Sequence, residues 1–301
     1  MLYGLDIGGT KIELAVFNEQ QQAITSKRIP TPTDSYDTFL SSIQQLISDM
    51  DAELSVKGKV GIGIPGFINP STGLVQCANV PCTNGKPLQA DLERVLERPI
   101  KIENDANCFA LSEAVGGAGD NAGTVLGLIL GTGFGGGIVM DKKLHDGENN
   151  LAGEVGHTPL PWRVFQLTGD DFPIVQCGCG MHGCLDSYLS GRGLELIYQY
   201  YSKETRKGKG IVELYRNNDT VAKKSVDTYC ELLASSLGAL TNTLDPGAIV
   251  FGGGLSNFSE LYELVPPLLK KYALSNGKLP EIKKAVFGDS GGVRGAAMLN
   301  I

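Results

Sequence analysis

The sequence predicts an α/β fold built from two related halves. An apolar strand, a glycine-rich turn containing threonine and a second apolar strand occur near residue 2 and recur near residue 124, a weak internal repeat of about 120 residues. Segments of helical periodicity separate these and further short apolar strands. Composition agrees: of 301 residues, 42% are apolar and 20% charged, as in globular domains. Glycine is in excess, 40 of 301 against a usual ~7%. With no collagen-type period, that excess belongs in tight turns and at close backbone approaches.

Leu2 to Ile7 reads as a strand ending at Gly8-Gly9-Thr10, and Ile12, Leu14 and Val16 mark its return. Pro30-Thr31-Pro32 breaks the chain. From about Ser35, the residues Tyr36, Phe39, Leu40, Ile43, Leu46, Ile47 and Met50 share one helical face, with Asp34 or Ser35 as N-cap. Val60, Ile62 and Ile64 form a strand stopped by Pro65-Gly66. Ile100 and Ile102 form another, running into Glu103-Asn104-Asp105, where a helix carrying Phe109, Leu111 and Ala114 begins. Val125 to Leu130, a glycine-rich turn, and Ile138-Val139-Met140 make the second strand–turn–strand. Residues 141–190 read as irregular, with Trp162 packing a loop between prolines. Thr220 to Leu244 is helical in pattern and stopped by Asp245-Pro246. Ala248 to Phe251 is a strand ending at a glycine triplet, Pro266-Pro267 kinks or breaks its helix, and residues 288–292 open a last helix.

The formal net charge is −7 with no basic run, which argues against nucleic acid as partner. No secretory signal is expected, because Asp6 interrupts the first apolar stretch and no basic segment precedes it. Ala122 to Met140 is uncharged but holds seven glycines and two threonines, so a membrane helix is not expected. The seven cysteines are odd in number, and three crowd into residues 177–184. That pattern points to a metal site in a reducing compartment, and so to a cytoplasmic protein, rather than to a disulfide framework.

Three places carry chemistry. Gly8-Gly9-Thr10-Lys11 after Asp6, Gly131-Thr132-Gly133-Phe134-Gly135-Gly136-Gly137, and Gly252-Gly253-Gly254 each follow a strand. An open α/β sheet binds ligands there, and glycines let N–H groups approach phosphate. One such turn alone reads more readily as a plain hairpin; three together favour a nucleotide. In Glu103-Asn104-Asp105-Ala106-Asn107, the carboxylate of Asp105 suits a general base and Asn104 a hydroxyl contact. On spacing alone, a helix cap is the stronger reading of that pair. Cys177, Cys179 and Cys184 with one imidazole make a four-ligand set suited to Zn²⁺ in a closed, structural site. Spacing admits either His157 or His182 as the fourth ligand.

Taken together, DIGGTK at 6–11, GIPG at 63–66, ENDAN at 103–107, GTGFGGG at 131–137, GEVGH at 153–157, CGCGMHGC at 177–184, GGG at 252–254 and GDSGGVRGAA at 288–297 resemble the ROK family of sugar kinases along nearly the whole chain. The resemblance implies a two-lobed actin-like (ribonuclease-H-like) ATPase fold with a zinc-binding motif. The small lobe would be residues 1–118 plus about 290–301, and the large lobe residues 119–289. NVPCTNGKPLQADL at 79–92, DFP at 171–173 and YLSGRG at 188–193 resemble the members acting on N-acetyl-D-glucosamine. The family's fructokinases share much of this pattern. The implied reaction is transfer of phosphate from MgATP to the sugar 6-hydroxyl.

By the same resemblance, Gly4, Leu5, Asp6, Ile7, Gly8, Gly9, Thr10 and Lys11 with residues 131–137 would cradle ATP phosphates, and Asp6 would help position Mg²⁺. Gly252 to Gly254 would lie against the adenosine. Gly66, Asn79, Asn104, Asp105, Glu154 and His157 would line the sugar pocket, with Asp105 as base. His157 would bind zinc through one ring nitrogen, beside Cys177, Cys179 and Cys184, and face the sugar with the other. Where the family has a sugar-binding Glu, this chain has Asp186, so that contact is lost, water-mediated or regained by a backbone shift. A homodimer is the family's assembly. Its repressors carry a DNA-binding extension before the first strand, so a sensor without turnover is the less expected reading.

Overall fold

The computed structural model describes residues 1–77 and 79–301. In chain order the elements are β1 (Leu2–Ile7), β2 (Lys11–Phe17), β3 (Ala23–Pro30), α1 (Tyr36–Leu54), β4 (Lys59–Ile64), β5 (Gly66–Ile68), β6 (Val75–Cys77), α2 (Leu88–Leu96), β7 (Ile100–Asn104), α3 (Asp105–Ala114), β8 (Thr124–Leu130), β9 (Phe134–Met140) and β10 (Lys143–Leu144). There follow α4 (Arg163–Thr168), α5 (Asp186–Leu189), α6 (Gly191–Ser202), α7 (Gly208–Arg216), α8 (Thr220–Leu244), β11 (Ala248–Gly252), α9 (Leu261–Leu269), β12 (Glu281–Lys284) and α10 (Gly291–Met298). The chain divides into two compact units, one of Met1–Asp120, Gly137–Ala152 and Val286–Ile301, the other of Asn121–Gly136 and Gly153–Ala285.

The first unit is built on a sheet of order β3-β2-β1-β4-β7. β1 runs antiparallel to β2 and parallel to β4, and β4 is parallel to β7. Successive side chains alternate faces. Tyr3, Leu5 and Ile7 join Ile12, Leu14, Val60 and Ile62 in a core shared with Phe39, Ile43, Ile47 and Met50 of α1, and full burial of each is worth about 1.5–3 kcal/mol. Ser35 caps α1 by accepting from Thr38 N–H. The opposite face carries Gly4 and Gly61, where a Cβ would overlap carbonyls of α10, while Gly295 in α10 lies as tightly on the backbone of α3 at Cys108.

A second sheet has the order β10-β9-β8-β11-β12. β11 is parallel to both β8 and β12, so its arrangement repeats that of β2-β1-β4-β7, and the two-strand repeat of the sequence is a repeat of topology. In the second unit α8 is the long central helix. Asp219 caps it by accepting from Ala222 N–H, and it ends with Asp245 in the left-handed region.

Three local expectations need revision. α9 contains Pro266 and Pro267 and runs on to Leu269; near the end of a short helix, the carbonyls they leave unpaired are few. Trp162 is 65% exposed and packs no loop; Arg163 lies beside its ring. The irregular stretch 141–190 includes the short helices α4 and α5. Among the described residues, no helix is long and apolar enough to cross a membrane.

Candidate active site

The β1–β2 turn closes through Gly8 N–H donating to Lys11 O at 2.9 Å, and Thr31 Oγ1 donates to Gly8 O at 2.7 Å. Leu5 and Ile7 point into the core and Gly4 lies under α10, so the accessible part of residues 4–11 is Gly8 to Lys11 and the Asp6 carboxylate. Asn79 approaches Gly9 so closely that a Cβ there would meet its carbonyl oxygen at 2.8 Å. Asp6 is paired across strands with Glu13 and lies against Gly292 at the start of α10. Burial, then the Glu13 charge, hold Asp6 above the usual carboxylate range, with Lys11 opposing. Glu13 is held by Arg28, through Nε–Oε2 at 2.8 Å and Nη2–Oε1 at 2.9 Å.

At the β7–α3 junction the cap is Asn104. Its Oδ1 accepts from Ala106 N–H at 2.9 Å and Asn107 N–H at 3.3 Å, and its Nδ2 donates to Gly66 O at 3.2 Å. Asp105 is therefore the first helical residue rather than the cap, with Oδ1 accepting from Ala106 N–H at 2.8 Å. Glu103 accepts from Asn104 N–H and Asn107 Nδ2, and burial raises its pKa.

In the second unit, the β8–β9 turn closes through Gly131 N–H donating to Gly133 O at 2.9 Å. Phe134 N–H donates to Asp186 Oδ1 at 2.7 Å. Gly253, with φ of 77°, packs on the Leu130–Gly131 peptide; a side chain would be both strained and obstructed there. The two turns border a cavity of about 470 Å³ lined also by Lys209, Glu213 and Phe258. Within GTGFGGG, Thr132 is exposed and Gly135 open, whereas Gly136 is pressed on Gly127 in β8 and, in the first unit, Gly137 on Asn107 of α3.

His157, Cys177, Cys179 and Cys184 offer ligand atoms all within 4.8 Å of one another. Cys179 Sγ lies 3.7 Å from Cys184 Sγ, and Cys177 Sγ lies 3.7 Å from His157 Nδ1. A tetrahedron with metal–sulfur bonds of ~2.3 Å has edges of ~3.8 Å, so the donor set fits such an ion. His157 Nε2 faces Glu154 Oε2 at 3.7 Å. The exposed His182 is not in the group. Burial pushes the Cys184 thiol up to about 12, while the backbone N–H of Met181 leads the groups that pull Cys179 down.

The chain matches the ROK family over residues 2–301. It is 50% identical over 301 residues to the N-acetyl-D-glucosamine kinase of Vibrio atlanticus, covering 100% of each chain. The chain belongs to the ROK family. Among solved structures, a ROK hexokinase from Thermus thermophilus has 30% identity and a TM-score of 0.86, with 99% of this chain and 96% of that one covered. A ROK glucokinase from Streptomyces griseus, in complex with glucose and AMPPNP, has 27% identity and a TM-score of 0.76, with 99% and 98% covered. This is the actin-like, ribonuclease-H-like α/β fold that the motifs predict.

Within this ROK chain, the residues singled out from sequence gather in four places. Asp6 and the turn 8–11 sit with Asn79; Asn104 and Asp105 sit with Gly66; the turn 131–134 sits with Asp186 and Gly253; His157 and Glu154 sit with the three cysteines. The wall that α7 gives the 470 Å³ cavity is not marked by any motif. Lys209 and Glu213, one helical turn apart, look like an ordinary solvated helix face.

Proposed function

We propose that the chain transfers the γ-phosphoryl group of MgATP to the 6-hydroxyl of N-acetyl-D-glucosamine. The observation that carries this reading is full-length similarity, at 50% identity, to a relative named for that activity, with Asp105 present in the first turn of α3. In this reading Asp105 takes the hydroxyl proton as the oxygen attacks phosphorus. Asn104, rigidified by its capping bonds, and Gly66, Asn79, Glu154 and His157 hold the sugar. Gly8 to Lys11 and the 131–137 turn bind phosphates, Asp6 orients the magnesium of the substrate, and the cavity beside Gly252 to Gly254 takes the adenosine. The first lobe, residues 1–118 with about 290–301, carries the base, and the second, residues 119–289, the metal motif and adenosine side.

Cys177, Cys179, Cys184 and His157 are proposed to hold one structural Zn²⁺. Bound there, the ion would fix the His157 ring and leave Nε2 to the substrate side. We further place the protein in the cytoplasm, with neither nucleic acid nor membrane as partner, and assign it a homodimer.

Side-by-side kcat/KM values for N-acetyl-D-glucosamine, N-acetylmannosamine, glucose, fructose and mannose test the reading. A lead of tenfold or more for N-acetyl-D-glucosamine, about 1.4 kcal/mol at the transition state, is expected. A lead for glucose or fructose would make the chain a glucokinase or fructokinase of the same family. Sugar binding with no turnover on any substrate would make it a sensor.

A further inference from the structure

The 131–134 turn is held by the segment that follows Cys184. Gly191 N–H donates to Gly131 O at 2.8 Å, Arg192 Nε to Thr132 O at 2.7 Å, and Phe134 N–H to Asp186 Oδ1 at 2.7 Å. Arg192 Nη2 also lies 3.8 Å from Asp186 Oδ2. A Cβ on Gly133 would come within 2.6 Å of Asp186 Oδ1, so the carboxylate fills the space beneath the turn. With Gly131 N–H given to Gly133 O and Phe134 N–H to Asp186, the N–H groups of Thr132 and Gly133 have no protein partner among the described residues. Two successive N–H groups left in this way form an anion-binding concavity.

We propose that Asp186 is a positioning residue for the nucleotide: it anchors the turn through Phe134 N–H so that Thr132 and Gly133 N–H face the phosphates, and it does not hold the sugar. The bond is charge-assisted, and such bonds are about twice as strong as neutral ones. An aspartate has the reach for it. Arg192 offsets the charge that Asp186 brings near an anion site, and ties the same two partners together from outside.

The proposal rests on the reading of residues 131–137 as a phosphate turn, and the experiment separates the two. Binding of AMPPNP and of adenosine is measured by calorimetry on the full chain, with KM for ATP and for N-acetyl-D-glucosamine measured alongside. Asp186→Ala should weaken AMPPNP and raise KM for ATP about tenfold, while adenosine affinity and the sugar KM stay within twofold. Asp186→Asn, which keeps an acceptor oxygen, should stay within threefold of wild type. Thr132→Pro, which deletes one N–H of the turn, is the control. If it weakens AMPPNP and Asp186→Ala does not, the anchor role is wrong and the phosphate reading stands. If neither weakens AMPPNP, the phosphate reading itself is wrong. A tenfold rise in sugar KM for Asp186→Ala with ATP unchanged makes Asp186 a sugar ligand and overturns the proposal.

Discussion

His157 turns Nδ1 to Cys177 Sγ at 3.7 Å and Nε2 to Glu154 at 3.7 Å, so one ring serves two neighbourhoods. Replacing a thiol of the cluster should therefore be felt beyond the cluster. Cys179→Ser is expected to cut bound zinc to less than a tenth of the wild-type content, measured by atomic emission. It should also lower the thermal midpoint by about 3 °C, the effect of roughly 2 kcal/mol in a chain of this size. Cys82→Ser, at a half-buried position outside the cluster, should leave the zinc content intact. Full zinc in Cys179→Ser would remove that thiol from the ligand set.

Asp105 sits where a helix begins, and its neighbour Asn104 carries the capping bonds. Neutralising Asp105 should then spare the fold. Asp105→Asn is expected to lower kcat by ~10²–10⁴-fold, the usual worth of a positioned base, with AMPPNP affinity within threefold of wild type. Turnover above a tenth of wild type would rule out the base role. Asn104→Ala behaves differently: it loses a cap, worth about 1 kcal/mol, and should lower stability as well as activity.

What could be read from sequence was local. The hairpins at residues 2–17 and 124–140 announce themselves by apolar runs around glycine turns, and α1 and α8 by one apolar face. The cysteine spacing gave three members of the cluster and left His157 and His182 open; the family resemblance chose His157, and the fold brings that residue to the three thiols. β3 was missed because it is an exposed edge strand with almost no apolar alternation. Glycines also mislead: Gly4 and Gly137 lie in the stretches that the family resemblance assigns to ATP phosphates, yet each is needed where another element presses on the backbone. Such an approach depends on residues far along the chain, as Gly4 depends on α10.

Glu113 gave no signal at all. It is fully buried and accepts from Val286 N–H at 3.0 Å, Phe287 N–H at 3.0 Å and Ala118 N–H at 3.0 Å. The buried Arg294 beside it donates to Ser112 O, Val115 O and Gln21 Oε1, and stacks on Phe287 with 4.0 Å to the ring centroid. Truncation would leave three N–H groups without a partner, each costing ~1–3 kcal/mol. Glu113→Ala should therefore lose about 3–5 kcal/mol in urea unfolding, through a lower midpoint at unchanged slope. Glu113→Gln, which retains one acceptor oxygen, should lose less. A loss below 1 kcal/mol for the alanine variant would mean that water replaces the carboxylate.

Asp6 offers a test of how much stability the site gives up for function. Its carboxyl is raised by burial and by Glu13, whereas an unfolded aspartate titrates near ~3.9. Between those two values the folded chain keeps a proton that the unfolded chain has released, so stability falls as pH rises through that window. The contribution is whole below about pH 4 and is lost once pH passes the folded value. Asp6→Asn removes the charge and should unfold at the same temperature as wild type at pH 4, then at a higher one from pH 6 to 8, as calorimetric scans would record. The same variant should be deficient in turnover, the usual trade between stability and a strained site. Adding Mg²⁺ with AMPPNP should close the gap at pH 8, since a cation favours the ionised carboxylate of the wild type and finds none in the variant. A wild type as stable as Asp6→Asn at every pH would mean that Asp6 is solvated well enough to ionise without cost.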